Sequence, residues 1–207
     1  MNSSTYEYKT PCERLETYEW DNVWWEQTNE KQAARVLYIG DSISCHTRRI
    51  ATKKSDNTIL FDGFGTSKAL DNPFFLKSLR TFAEQQRDRV AVLFNNGLHG
   101  WHLDDEDEYA KGYENMIRFL LNEFKETPII LLLTTFVSDD ERNKRVQTRN
   151  RVVSNLAKKY DLPVIDLYSV TKENSHLLYS DGVHFVPEGY QLLADELVRV
   201  VRDYISK

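Results

Sequence analysis

The chain has 207 residues and a formal net charge of −5 at pH 7, from 27 basic and 32 acidic side chains. This balance argues against nucleic-acid binding, because affinity for polyanions depends on clustered Lys and Arg. With 41% hydrophobic and 29% charged residues, the composition is that of a globular protein, and the length predicts one domain. Two cysteines, Cys12 and Cys45, are too few for a disulfide framework.

The amino-terminal segment is polar and acidic. Residues 1–20 contain Glu7, Glu13 and Glu16 and lack the basic start and apolar stretch of a signal peptide. We therefore expect the chain as given to be cytoplasmic, with a secreted or periplasmic location as the alternative if a leader has been removed. The longest apolar run, residues 129–133, is too short for a membrane span.

Residues 1–34 are expected to form an aromatic-rich arm that packs on a single domain of residues 35–207. Three of the four tryptophans, Trp20, Trp24 and Trp25, lie in this arm. The side chains of Trp20 and Trp24 are one helical turn apart, and tryptophan is mostly buried in folded proteins. An aromatic platform beside a sugar- or acyl-binding cleft is the alternative interpretation.

Beyond the arm, short aliphatic runs alternate with longer segments of helical period. This alternation predicts an α/β fold in which parallel strands are joined by crossover helices. Several runs are apolar on consecutive residues, as expected for strands that are buried on both faces. The predicted strands are residues 35–39, 58–61, 90–94, 129–136 and 163–167.

Ligands bind at the carboxyl ends of the strands in open parallel sheets, so the segment after the first strand is of interest. It reads Gly40-Asp41-Ser42, where the glycine permits a tight turn and the serine hydroxyl is exposed at a predicted helix start. Neither a phosphate loop nor a dinucleotide-binding fingerprint follows this strand, which disfavours a flavodoxin-like binding module. Taken alone, these are also ordinary turn and N-cap residues.

Asp181 and His184 lie three positions apart, just before the last predicted helix. A serine becomes a good nucleophile when a base takes its proton, and the base works best when a carboxylate fixes its tautomer. Asp181 and His184 could supply both functions to Ser42. By itself, such a pair is more often a turn with a surface histidine.

Taken together, Gly40-Asp41-Ser42 and Asp181-Gly182-Val183-His184 resemble blocks I and V of the SGNH (GDSL-type) hydrolases, a family of esterases, lipases and carbohydrate deacetylases. The resemblance extends from about residue 35 to the carboxyl end. It implies a three-layer α/β/α, flavodoxin-like fold with a five-stranded parallel sheet. It also implies Ser42 as the nucleophile, His184 as the base and Asp181 as its orienting acid, with no metal or organic cofactor.

The resemblance further implies an oxyanion hole formed by the backbone N–H of Ser42, a block II glycine and a block III asparagine. Gly65, expected after the second strand, is the better match for block II, and Gly63 is the alternative. Such a donor matters because its removal costs roughly 3–4 kcal/mol of transition-state stabilisation.

Block III departs from the family pattern, which is usually Gly-x-Asn-Asp. This chain has Asn95-Asn96-Gly97-Leu98-His99, so Asn95 and His99 are the favoured donors and Asn96 stays open. A metal site at His99 and His102 with the acids that follow is disfavoured, because the loop lacks the closed spacing of structural zinc sites. Cys45 is typical of a small apolar residue inside a helix.

The sequence therefore predicts a serine esterase that cleaves short-chain esters, with deacetylation of carbohydrate as the favoured reaction. The expected partner is a small-molecule or carbohydrate ester, with no nucleic acid and no membrane span, and the oligomeric state is left open. The alternative is a catalytically weak relative that binds a glycan or a protein through the same cleft. The altered block III motivates that alternative.

Overall fold

A computed structural model describes residues 15–16, 18–85 and 88–205 of the chain. In these ranges, six strands form one sheet: β1 (Asp21–Trp24), β2 (Ala34–Gly40), β3 (Ile59–Thr66), β4 (Ala91–Phe94), β5 (Ile129–Leu132) and β6 (Val164–Ile165). Their order across the sheet is β1-β3-β2-β4-β5-β6. Strands β2 to β6 are parallel, and β1 pairs antiparallel with β3.

Helices cover both faces of the sheet, which confirms the expected three-layer α/β fold. The helices are α1 (Ser42–Lys54), α2 (Phe75–Ala83), α3 (Glu106–Glu123), α4 (Asp140–Tyr160), α5 (Leu167–Glu173) and α6 (Pro187–Ile205). Side chains from α1, α5 and α6 pack on one face, and side chains from α2, α3 and the later part of α4 pack on the other. No helix formed by the described residues is long and apolar enough to cross a membrane.

Strand β2 shows why the predicted strands are apolar at consecutive positions. Val36 and Tyr38 belong to the core under α1 and α6, whereas Leu37 and Ile39 belong to the core under α2 and α3. Successive side chains of a strand point to opposite faces, so a strand covered on both sides must be apolar throughout. Because β2 lies between β3 and β4, its carboxyl end and the turn that follows it are central among the carboxyl ends of the parallel strands.

The strand count differs from the five strands expected. The five expected strands are present as the parallel part of the sheet, and the additional strand β1 comes from the amino-terminal segment. Asp21 lies opposite Thr66 and Trp24 lies opposite Gly63 in its pairing with β3. All four residues of β1 are exposed, so its sequence carries no alternating pattern that would predict a strand. Its pairing accompanies an extension of β3 to Thr66, beyond the predicted end at residue 61.

Candidate active site

The turn after β2 places Ser42 at the first position of α1. Asp41 is the N-cap: its carboxylate accepts the Ile43 N–H at 2.9 Å, and its backbone carbonyl accepts the Cys45 N–H at 3.1 Å. A Cβ on Gly40 would lie 2.8 Å from Ser44 Cβ, so the close turn requires glycine. The first N–H groups of a helix have no acceptor within the helix, and the helix dipole favours negative charge there. The half-buried Ser42 therefore combines a hydroxyl with a backbone N–H suited to an anion.

A chain of hydrogen bonds joins Ser42, His184 and Asp181. Ser42 Oγ lies 2.8 Å from Nε2 of His184, and Nδ1 of His184 lies 2.7 Å from Oδ2 of Asp181. A carboxylate accepts hydrogen bonds, so this arrangement places the imidazole proton on Nδ1 and leaves Nε2 to accept the Ser42 hydroxyl proton. The three residues singled out in the sequence are thus brought together, although 142 positions separate Ser42 from His184.

The carboxylate of Asp181 is stabilised by several donors. Its Oδ1 accepts the backbone N–H groups of Val183 and His184, both at 2.9 Å. Burial raises the pKa of Asp181, but these two N–H groups and the ring of His184 outweigh that effect, so the pKa lies below its ordinary value. Asp181 is therefore ionised at neutral pH.

The turn that carries Asp181 and His184 depends on Gly182. This glycine has φ +73°, and a Cβ there would lie 2.0 Å from the hydroxyl oxygen of Ser138. The Ser138 N–H donates to the Gly182 carbonyl at 2.9 Å, and the Tyr179 N–H donates to the His184 carbonyl at 2.7 Å. The turn is therefore tied to the loop after β5 and closed on itself.

Gly65 was expected in the segment after the second predicted strand, residues 58–61. It lies instead inside β3, which continues to Thr66. The residue pairs with Gly40 of β2 and with Asn22 of β1. A Cβ on Gly65 would lie 2.2 Å from Sγ of Cys45, so the close approach of α1 to the sheet explains the glycine. Burial raises the pKa of the Cys45 thiol, which keeps that thiol protonated and weakly nucleophilic at neutral pH.

Asn95 follows β4 directly and lies beside the turn of residues 40–42, which contains the proposed nucleophile and is called the nucleophile turn below. Its half-buried side chain borders a small cavity together with Gly40 and Asp41. The amide nitrogen donates to the Leu132 carbonyl at 2.9 Å and to the Thr134 hydroxyl at 3.0 Å. Both amide hydrogens are therefore directed at the segment around the end of β5.

The sequence model of the GDSL-like lipase/acylhydrolase family matches residues 38–192, about three quarters of the chain. The chain belongs to this family. It is accordingly a hydrolase that acts on carboxylic esters. No curated protein matches the chain.

Solved structures with the same fold include several acylhydrolases. A lipase/acylhydrolase from Enterococcus faecalis is 20% identical, with a TM-score of 0.67 over 82% of this chain and 96% of that one. The acetyl xylan esterase AlAXEase is 18% identical, with a TM-score of 0.64 over 81% of this chain and 99% of that one. The catalytic domain of a Streptococcus pneumoniae peptidoglycan O-acetyltransferase is 17% identical, with a TM-score of 0.65 over 86% and 97%. At these identities the likeness establishes the fold.

His99 of this GDSL-like hydrolase lies in a buried cluster with an acid from the amino-terminal segment. Its Nδ1 lies 3.1 Å from Oε2 of Glu16, and its ring forms a T-shaped pair with the ring of Trp20 at a centroid distance of 5.8 Å. His102 instead lies 3.0 Å from Asp71. The two histidines face separate acids, and the described residues contain no group of three or more His, Cys, Asp and Glu side chains placed to hold a metal ion.

Arg149 of α4 organises the loop after β4 and was not singled out in the sequence. Its guanidinium is buried and lies over the ring of Trp101 at 4.8 Å from the ring centroid. A buried arginine needs acceptors, and carbonyl groups of this loop supply them. The four carbonyls are those of Gly97, His99, Gly100 and Leu103, at 3.0, 2.7, 2.7 and 3.3 Å.

A second histidine, His46, lies beside His184 and was also missed. Its ring centroid is 6.3 Å from that of His184 and 5.0 Å from that of Tyr190. Burial and the charge of His184 lower the pKa of His46, with a smaller contribution from Arg48. The available signal was its position four residues after Ser42, which puts both side chains on one face of α1.

Proposed function

We propose that this protein hydrolyses short-chain esters through an acyl-enzyme formed on Ser42, with His184 as the general base and acid and Asp181 as its orienting acid. The observation that carries the proposal is the unbroken chain of hydrogen bonds from Ser42 Oγ through His184 to Asp181. Each member has the distance and the hydrogen-bonding partner that its role requires.

In the first half of the reaction, Ser42 Oγ attacks the ester carbonyl carbon while its proton moves to Nε2 of His184. The tetrahedral intermediate collapses, the bond to the alkoxy oxygen breaks, and the departing alcohol takes the proton from Nε2. Water then attacks the acyl group and gives a proton to His184. Collapse of the second intermediate releases the carboxylic acid and returns the proton to Ser42, and the charge of Asp181 stabilises the imidazolium in both halves.

We propose that the oxyanion is bound first by the Ser42 N–H at the start of α1. Asn95 is the proposed block III donor, since it borders the same cavity as the nucleophile turn, while His99 faces Glu16. One amide hydrogen of Asn95 is bonded to the Leu132 carbonyl. The other, which is directed at the Thr134 hydroxyl, is the one that we propose is shared with the oxyanion. The backbone N–H of Gly65 is the proposed block II donor.

The favoured substrate is a short acyl group, such as acetyl, on a carbohydrate. Tyr179, which is 57% exposed, lies in the turn that carries His184 and offers an aromatic surface for a sugar. An acetyl xylan esterase and a carbohydrate esterase of family 3 share the fold, which is consistent with this substrate class. The intact chain from Ser42 to Asp181 does not favour a catalytically weak glycan- or protein-binding relative.

The test is turnover of p-nitrophenyl acetate and of acetylated xylo-oligosaccharides by the wild type and by Ser42→Ala. We expect Ser42→Ala to lose at least a thousandfold in kcat, since the remaining groups can only bind and polarise the ester. Ser169→Ala, at an exposed serine of α5, is the matched control and should keep wild-type turnover. Equal turnover by Ser42→Ala and the wild type would refute the proposal.

A further inference from the structure

Glu16 is a buried carboxylate that the amino-terminal segment inserts beside the loop after β4. Its side chain is 3% exposed. Oε1 accepts the Gly100 N–H at 3.0 Å, and Oε2 lies 3.1 Å from Nδ1 of His99. A buried carboxylate without partners is strongly destabilising, so the burial of Glu16 depends on its hydrogen bonds to this loop.

The backbone of the loop of residues 95–103 is bound by two buried side chains, one basic and one acidic. Arg149 collects its carbonyl groups, and Glu16 receives the N–H of Gly100, a residue with φ +67°. A backbone N–H and several backbone carbonyl groups of this short loop are therefore hydrogen-bonded to buried side chains. Removal of the Glu16 carboxylate leaves the Gly100 N–H buried without that acceptor, which is unfavourable and favours rearrangement of the loop.

The segment that carries Glu16 is also attached to the other parts of the site. Trp20 exchanges hydrogen bonds with Ser67 directly after β3, where its N–H donates to the Ser67 hydroxyl at 2.9 Å and its carbonyl accepts the Ser67 N–H at 3.1 Å. The Asn22 carbonyl accepts from the buried Arg48 of α1, the helix that begins at Ser42. The segment therefore contacts α1, β3 and the loop after β4.

We propose that Glu16 is a positioning residue of the hydrolase, which fixes the loop of residues 95–103 so that Asn95 stays beside the nucleophile turn. The proposal rests on the function assigned above, because Asn95 is a proposed oxyanion donor there. Glu16 does not itself touch the substrate. Its effect is exerted through His99 and Gly100, and a misplacement of about 1 Å can cost up to a hundredfold in rate.

The experiment compares Glu16→Ala, Glu16→Gln and the exposed-residue control Glu173→Ala. For Glu16→Ala we expect a ten- to hundredfold fall in kcat with KM changed less than threefold. Glu16→Gln keeps an oxygen for the Gly100 N–H and should have a kcat between those of the alanine variant and the wild type. Hydrogen exchange in a peptide covering residues 97–103 should be faster in Glu16→Ala and unchanged in Glu173→Ala.

The outcomes separate this inference from the assignment of the nucleophile. If Ser42→Ala is inactive while Glu16→Ala keeps wild-type kcat, the positioning function is refuted and the proposed reaction stands. If Ser42→Ala is as active as the wild type, the proposed reaction itself fails. Should Glu16→Ala not fold, Glu16→Gln decides: a lowered kcat with faster exchange in residues 97–103 supports the inference, and a wild-type kcat overturns it.

Discussion

Replacement of Asp181 by asparagine changes one hydrogen bond of the site and leaves the others in place. An asparagine oxygen at the position of Oδ1 would still accept the N–H groups of Val183 and His184, which now lie at 2.9 Å. The asparagine NH₂ group would then face Nδ1 of His184, where Oδ2 lies at 2.7 Å. Since that group donates, Nδ1 would have to accept, and the ring proton would move to Nε2.

This tautomer cannot take the proton of Ser42. We therefore expect kcat for p-nitrophenyl acetate to fall by about 10³–10⁴-fold, since the same substitution in a serine protease, which produces the wrong histidine tautomer, lowers kcat by about 10⁴-fold. This loss corresponds to about 4–5.5 kcal/mol in activation free energy. The free energy of unfolding should change much less, by about 1 kcal/mol, because the two backbone hydrogen bonds persist.

The assay measures initial rates at neutral pH together with urea unfolding of the same preparations. Asp105→Asn is the matched control, since it makes the same substitution at the N-cap of α3, where asparagine caps as well as aspartate. Its turnover should match that of the wild type. An Asp181→Asn enzyme within tenfold of wild-type kcat would refute the reasoning about the tautomer.

Three further substitutions probe the surroundings of the proposed triad. His46→Asn identifies the His46 signal in an NMR pH titration, and that signal should titrate below the ordinary histidine pKa, because burial and the charge of His184 disfavour the protonated ring; a raised pKa would contradict this expectation. Gly182→Ala places a Cβ at a residue with φ +73°, 2.0 Å from the Ser138 hydroxyl oxygen. It should lower the free energy of unfolding by about 1–3 kcal/mol in urea titrations. Unchanged stability would show that the turn relaxes freely. Asn95→Ala should lower kcat at least about tenfold, and a wild-type rate would remove Asn95 from the oxyanion hole.

The parallel part of the fold could be predicted because each strand carries its own signal. Residues 36–39 are apolar in succession because both faces of β2 are covered, and this pattern is local to the sequence. Strand β1 has no such signal, since Val23 and Trp24 are exposed and the strand is defined by its pairing with β3. That pairing is a tertiary contact, which no local period records.

The candidate site shows the same division between local and distant contacts. The segments around Ser42 and His184 are each recognisable as a turn before a helix, but the two residues could be assigned only because both segments together resemble the blocks of one family. Glu16 could not, because a glutamate in a polar segment is typical of solvent-exposed positions, and its burial depends on His99, 83 positions away. Arg149 was missed for the same reason, since its four carbonyl acceptors lie in a loop that precedes α4 by tens of residues.

Mass spectrometry after treatment with a fluorophosphonate shows whether Ser42 is the residue that forms the covalent acyl-enzyme. The phosphonyl group should be found on the peptide that contains Ser42, with one group per chain, and Ser42→Ala should remain unlabelled. Labelling should also be slowed in His184→Ala, which removes the base at 2.8 Å from Ser42 Oγ. A phosphonyl group on another residue, or equal labelling of Ser42→Ala, would exclude Ser42 as the nucleophile.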